Sequence, residues 1–255
     1  MTRTTLLQRP AATLHACVLA ALLLSSSVHA ATFEWTAASG QTPDQTGAFT
    51  LVTEGTGIAT LLPGGPLRLQ TPGAAADRLV YVAGGEQLLM HDALVVSFTT
   101  RFVDSNAPIG GSLRSPLMVN VSFGNHVGAN LMITERFAAF HYGTDLNIAP
   151  GAQLDPGLFY QHRLVFNGTT TAGNVKHYVN DILRYSMPLQ QGASLFTAEP
   201  RIVFGDMTIA FSGTSEWLAF SHNAAPVPEP GSWLLMALGL LAVATHRQNA
   251  RQVRS

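Results

Sequence analysis

The sequence predicts an all-β body, a sandwich or a barrel. Three observations carry that expectation. Short runs rich in Val, Phe and Thr alternate apolar and polar residues, so that one face of each strand is dry and the other wet. Turn residues punctuate these runs at short spacing: Gly110-Gly111, Asn167-Gly168, Gly173-Asn174 and Asn180-Asp181. No long apolar stripe of helical period appears between the two ends of the chain.

Taken in order, residues 48–52, 66–70 and 78–83 are short β-prone runs. Residues 93–103 (ALVVSFTTRFV) form a long one. In 116–123, Leu117, Val119, Val121 and Phe123 share one face, and Met118, Asn120 and Ser122 the other. Strands are further expected at 130–134, 136–142, 159–167, 175–180, 182–187, 201–204, 208–211 and 216–221. Residues 39–47 and 144–157 are rich in Gly, Pro, Asp and Asn and read as loops. No internal repeat is visible.

The two ends are different in kind. Arg3 and Arg9 precede an apolar stretch from Ala11 to Leu24, and small or β-branched residues lead to Ala30-Ala31. This is the pattern of a secretory signal peptide over residues 1–30, cut after Ala30. An N-terminal anchor is the alternative. A lipoprotein site at Cys17 fits less well, because the apolar run continues past it. At the other end, Trp233 to Thr245 is uncharged, and Arg247, Arg251 and Arg254 follow. As a helix this run spans about 20 Å, short for a hydrocarbon core of roughly 30 Å. The arginines place the tail on the cytoplasmic side and the body outside. A buried core helix would need a polar stripe that this run lacks.

The sequence Val227-Pro228-Glu229-Pro230-Gly231, followed by that apolar run and the Arg-rich tail, resembles a PEP-CTERM sorting signal, covering 226–255. The resemblance implies an exosortase as partner, cleavage near Pro228-Glu229-Pro230, transient inner-membrane anchoring, and delivery to the cell surface or extracellular matrix of a Gram-negative bacterium that makes extracellular polysaccharide. The two prolines keep the segment extended and out of any helix, a form a protease can bind.

A second resemblance concerns residues 31–225. Tyr178-Val179-Asn180-Asp181-Ile182-Leu183 resembles the hairpin of concanavalin A-like and laminin G-like domains. Arg201 to Asp206 and Gly213 to Leu218 resemble their closing strands. The likeness implies a two-sheet antiparallel jelly-roll sandwich of about a dozen strands. Many such domains bind or cleave carbohydrate, but a fold does not fix a function.

Composition narrows the classes. The chain's net charge is −1, yet five of its fourteen basic residues lie in the two ends. The body, with Glu229, holds nine basic and fifteen acidic residues, a net charge of about −6. Nucleic-acid binding has no electrostatic footing there. The single cysteine, Cys17, leaves with the signal peptide, so no disulfide or thiol nucleophile remains.

Candidate chemistry is thin. Glycosidases that set two carboxylates on one strand face need an alternating acidic pattern, and none occurs. Glu86 and Asp92 could be neighbours on one strand, or simply sit at solvated strand ends. The body histidines show no metal-ligand spacing, and His141 and His162 read as sheet residues. Asp145 with Asn147, or Asp206, are candidate calcium ligands, against the ordinary use of Asp and Asn in turns. No Gly-x-Ser-x-Gly elbow is present. Tyr81, Phe140, Tyr142, Tyr160, Tyr178, Tyr185 and Trp217 are candidate sugar-stacking rings, with sheet packing as the alternative. Tyr142 and the loop to Asn147 are the preferred ligand contacts. Trp35 is expected to pack near the mature N-terminus. The expected function is that of a non-catalytic, surface-sorted protein with a polysaccharide as partner and no cofactor beyond calcium. A glycoside hydrolase with dispersed carboxylates and a purely structural coat protein are the alternatives.

Overall fold

The computed structural model describes residues 33–72, 78–84, 88–89, 93–105, 117–142, 147–148, 151–193, 196–207 and 212–226. The strands are β1 (Phe33–Thr36), β2 (Thr50–Glu54), β3 (Ile58–Leu61), β4 (Leu67–Thr71), β5 (Arg78–Gly84), β6 (Leu88–Leu89) and β7 (Val95–Ser105). They continue with β8 (Leu117–Gly124), β9 (Val127–Ile133), β10 (Phe137–Tyr142), β11 (Asn147–Ile148), β12 (Ala152–Gln153) and β13 (Tyr160–Asn167). The last are β14 (Asn174–Val179), β15 (Ile182–Pro188), β16 (Gln190–Gln191), β17 (Pro200–Asp206), β18 (Gly213–His222) and β19 (Ala225–Pro226). Two 3-10 turns, Ala37–Ser39 and Pro43–Thr46, interrupt the expected loop after β1.

Two large antiparallel sheets face each other. One has the order β15-β14-β13-β7-β18-β4-β3, with β1 also on β18. The other has the order β11-β10-β9-β8-β17-β5-β2, with β12 on β10 and β16 on β9. We call them the eight-stranded and nine-stranded sheets. The fold class expected from the sequence is therefore the one observed: an all-β, two-sheet antiparallel sandwich.

Alternation explains the core. In β13 the residues His162, Leu164 and Phe166 are buried, while Gln161, Arg163 and Val165 lie more open between them. β14 repeats this with Val175, His177 and Val179 inward. Trp217 and Phe220, three apart on β18, both reach the core because a register shift between Trp217 and Ala219 resets the alternation. They join Phe204 of the opposite sheet, 4.8 Å from the Trp217 ring and 4.3 Å from the Phe220 ring. Contacts of this kind add about 0.5–1.5 kcal/mol each beyond area burial. Asn180 and Asp181, with φ of 48° and 62°, make the two-residue turn between β14 and β15 that the sequence announced.

The expected strand 130–134 begins earlier, at Val127, because Asn125 and His126 adopt positive φ and turn the chain tightly out of β8. The expected strand 208–211 lies outside the described residues.

Candidate functional site

The two sheets differ on their outer faces. On the nine-stranded sheet, β8 and β9 are buried on both faces. Asn120 stands opposite Asn130 in register, and both are buried. Part of the cover is the segment after β15. There Gln190 pairs with Gly128, the Thr197 N–H donates to Ser122 Oγ (3.1 Å), and His126 Nδ1–H donates to Phe196 O (2.8 Å).

The outer face of the eight-stranded sheet is open. β7 and β13 present Ser97, Thr99, Arg101, Gln161, Arg163 and Val165 outward, and β14 presents Lys176 and Tyr178. Register aligns Arg68, Glu216 and Arg101 in one row across β4, β18 and β7. Glu216 is fully buried there. Arg68 donates to its Oε1 through Nε (3.0 Å) and Nη2 (2.6 Å), and Arg101 donates to Oε2 through Nε (2.7 Å). Arg101 Nη1 donates to Gly157 O (3.2 Å), and its guanidinium lies 4.6 Å from the centre of the Phe159 ring. A buried carboxylate held by two cations leaves the triad one net positive charge. In the next part of the face, the Arg163 guanidinium lies 4.4 Å from the centre of the Tyr178 ring and bonds Asp181 at 3.1 Å. Both are cation–π contacts.

The residues expected from sequence fall as follows. Tyr142 stands opposite Asn147 in the β10–β11 register, so the chain does bring these two positions together. Asp145, between them, lies outside the described residues, as do Glu86, Asp92, Ala30, Ala31, Pro228, Glu229, Pro230, Arg247, Arg251 and Arg254. Asp206 is buried at the end of β17 and accepts a hydrogen bond from Thr71 Oγ1 of the opposite sheet, which ties the two sheets together. Tyr81, Phe140 and Trp217 do not stack on any surface ligand: all three are buried in the core. Trp35 packs as expected, with Nε1–H donating to Gln41 O (2.8 Å). Tyr160 and Tyr185 are half-buried against the core.

His162 does not sit alone. Its ring stacks on that of His177, with Nδ1 and Nε2 3.0 Å apart inside the core. Burial holds both well below the usual imidazole range, His177 at about 4 with Arg184 adding to the effect, and His162 with His177 itself contributing. Both rings are neutral at pH 7, one donating to the other. Among the described residues no group of three or more His, Cys, Asp or Glu is placed to hold a metal ion.

Two recesses bear on catalysis. A cleft of about 380 Å³ lies where β4, β7 and β18 end, lined by Gln70, Asp104, Ser105, Ser212 and Thr214 among others. Asp104 is the one carboxylate among the described residues that line it. A second cavity brings Glu135 and Asp155 together beside Tyr160 and His162, but its 10 Å³ holds about one water and no sugar.

The sequence reading missed Arg68, Arg101, Phe159, Arg163 and Lys176. Arg163 and Lys176 carried a signal, since alternation against Leu164 and Val175 assigns them to the outer face. The Arg68–Glu216 and Arg101–Glu216 partners lie 148 and 115 residues apart, and no local pattern announces them.

Comparison with known proteins adds two findings. Residues 226–248 match the PEP-CTERM protein-sorting motif. The chain is thus an exported, surface-destined protein of the kind an exosortase sorts, with a β-sandwich body. Among solved structures, the body is similar to a carbohydrate esterase from a Shiga toxin-encoding bacteriophage, at 11% identity and a TM-score of 0.51, over 74% of this chain and 96% of that one. It is also similar to a sialidase, at 14% identity and a TM-score of 0.50, over 79% of this chain and 19% of that one. The match thus spans about a fifth of the sialidase's length. At these identities the likeness shows the fold alone. No curated protein matches the chain in sequence. Among the described residues no helix is long and apolar enough to cross a membrane; the run from Trp233 to Thr245 lies outside them.

Proposed function

We propose that this exported protein binds extracellular polysaccharide at the cell surface without turning it over, through the outer face of the eight-stranded sheet. The observation that supports this reading is the pair of guanidinium–aromatic stacks, Arg101 on Phe159 and Arg163 on Tyr178, on one open sheet face. Such a face offers what a long polymer needs: a wide, flat contact with planar donors for hydroxyl and carboxylate oxygens. The absence of turnover is part of the proposal. The described buried carboxylates have structural partners, Glu216 in its arginine triad and Asp206 with Thr71. A hydrolase would need two carboxyl groups about 5–10 Å apart around a sugar-sized space.

Delivery completes the reading. The leader is removed after Ala30, the apolar run from Trp233 holds the chain in the inner membrane, and an exosortase cuts near Pro228-Glu229-Pro230. Arg247, Arg251 and Arg254 keep the tail cytoplasmic until then.

A glycan-array screen of the purified protein, with and without calcium, followed by product analysis, tests the function. Binding with no product is the expected result. Turnover would replace the reading by a hydrolase with dispersed carboxylates, and silence across charged and neutral glycans would replace it by a structural coat role. A requirement for calcium would direct attention to Asp145 and Asn147.

A further inference from the structure

The open face is basic on an acidic body, and that asymmetry bears on the kind of polymer it fits. The body carries about −6, yet Arg68, Arg101, Arg163 and Lys176 all project from this one face. Among the described residues, the anions on this face are Glu34 on β1, Glu216 and Asp181, with Glu135 and Asp155 in the small cavity beside Arg101. Glu216 is enclosed and spent on two arginines. Asp181 is 76% exposed in the turn, where its pairing with Arg163 is weak and exchangeable. Glu34 stands at the far edge, on β1.

The donors divide into two sets. Arg101 is the most committed: Nε and Nη2 to Glu216 and Nη1 to Gly157 O, three of its five N–H groups. It positions the row and offers a ligand the least. Arg68 uses Nε and Nη2 and keeps Nη1, at 40% side-chain exposure. Arg163 uses only Nη2, at 38% exposure, and its guanidinium lies over the Tyr178 ring. A guanidinium held over a ring, with unused N–H groups, is organised in advance for a carboxylate. Lys176 stands on the neighbouring strand, its backbone paired with Val165, two residues on from Arg163 along β13.

Resting on the reading of this face as a polysaccharide-binding surface, we infer that its ligand is an acidic polysaccharide whose sugar carboxylates are taken by Arg163, Lys176 and Arg68. The Tyr178 ring under the Arg163 guanidinium helps hold that donor on the face, and the acidic remainder of the body discourages contact elsewhere.

The test is affinity electrophoresis of the full-length protein in mild detergent, through gels containing alginate, a polyuronate, or dextran, a neutral polymer. The expected result is retardation by alginate and little by dextran, with apparent affinity falling at least tenfold as salt rises from roughly 50 to 500 mM. Arg163→Gln with Lys176→Gln should weaken alginate binding by about tenfold or more. Arg136→Gln, in the β9–β10 turn of the other sheet, should leave it unchanged. Unfolding midpoints of all variants establish that each is folded. Equal retardation by dextran and alginate, insensitive to the double variant, would overturn the acidic ligand while leaving polysaccharide binding in place. Retardation by neither polymer, with the glycan array also silent, would remove both.

Discussion

At Glu216 the outer row of the eight-stranded sheet depends on one carboxylate. Removing a buried charge that two guanidiniums surround leaves both of them unpaired. Arg68 and Arg101 are 40% and 34% exposed and can rehydrate, which softens the loss. Glu216→Gln should therefore destabilise the fold by about 2–3 kcal/mol in urea denaturation. Arg68→Gln should cost about 1 kcal/mol, since Arg101 still holds the carboxylate. Equal small effects from both would show that the triad is peripheral. The histidines are the other residue-scale determinant. His177 and His222 are each held at about 4 against 6.5 in the unfolded chain, both chiefly by burial, and burial holds His162 well below its ordinary value too. Between those values the unfolded chain binds more protons than the folded one, so stability rises with pH. It is fully present above about pH 6.5 and is lost as pH falls through about 4, by about 3 kcal/mol for each of His177 and His222. Urea midpoints at pH 7, 5 and 4 should fall in that order. His222→Phe, whose ring would join Phe33 and Phe49 at 5.4 and 5.9 Å from the present imidazole, should flatten the profile.

Elements show where sequence reasoning reached and where it stopped. The β13–β14–β15 meander was legible because alternation and the Asn180-Asp181 turn agree. β1 was not, since four residues carry too little pattern; its place is set by pairing with β18 nearly two hundred residues later. On β8 the two faces were separable, but alternation alone marks the face of Met118, Asn120 and Ser122 as wet. At its Ser122 end it is buried because the segment around Phe196 crosses the sheet, a tertiary event with no local signal. The aromatic residues misled for the same reason: a period-2 pattern says that Tyr81 and Trp217 alternate, not which face is dry. The crossing segment makes its own prediction. A Cβ on Gly128 would press on Val121 O and come within 2.7 Å of the Phe196 ring. Gly128→Ala should cost about 1–3 kcal/mol and loosen the crossing segment, measured as faster amide exchange at Gly192, whose N–H donates to His126 O. Wild-type stability and exchange would mean that the segment rides loosely on β9.

At the scale of the molecule, the proposed function gives three parts separate tasks: a leader, a sandwich and a sorting tail. Replacing Glu229 with Ala, or deleting residues 246–255, should leave the protein uncleaved in the membrane fraction by intact mass. A body at mature mass on the surface of either variant would contradict the sorting account. The sandwich divides its own faces in turn, one covered and one open with its cations stacked on rings. Because that division carries the functional reading, the most direct measurement is arginine footprinting of the full-length protein with phenylglyoxal, with and without an acidic polysaccharide, read by mass spectrometry. Protection of Arg68 and Arg163, with Arg136 labelled equally in both states, is the predicted result. Protection confined to Arg136 or Arg201, with Arg68 and Arg163 unchanged, would place the ligand on the nine-stranded sheet and contradict the account.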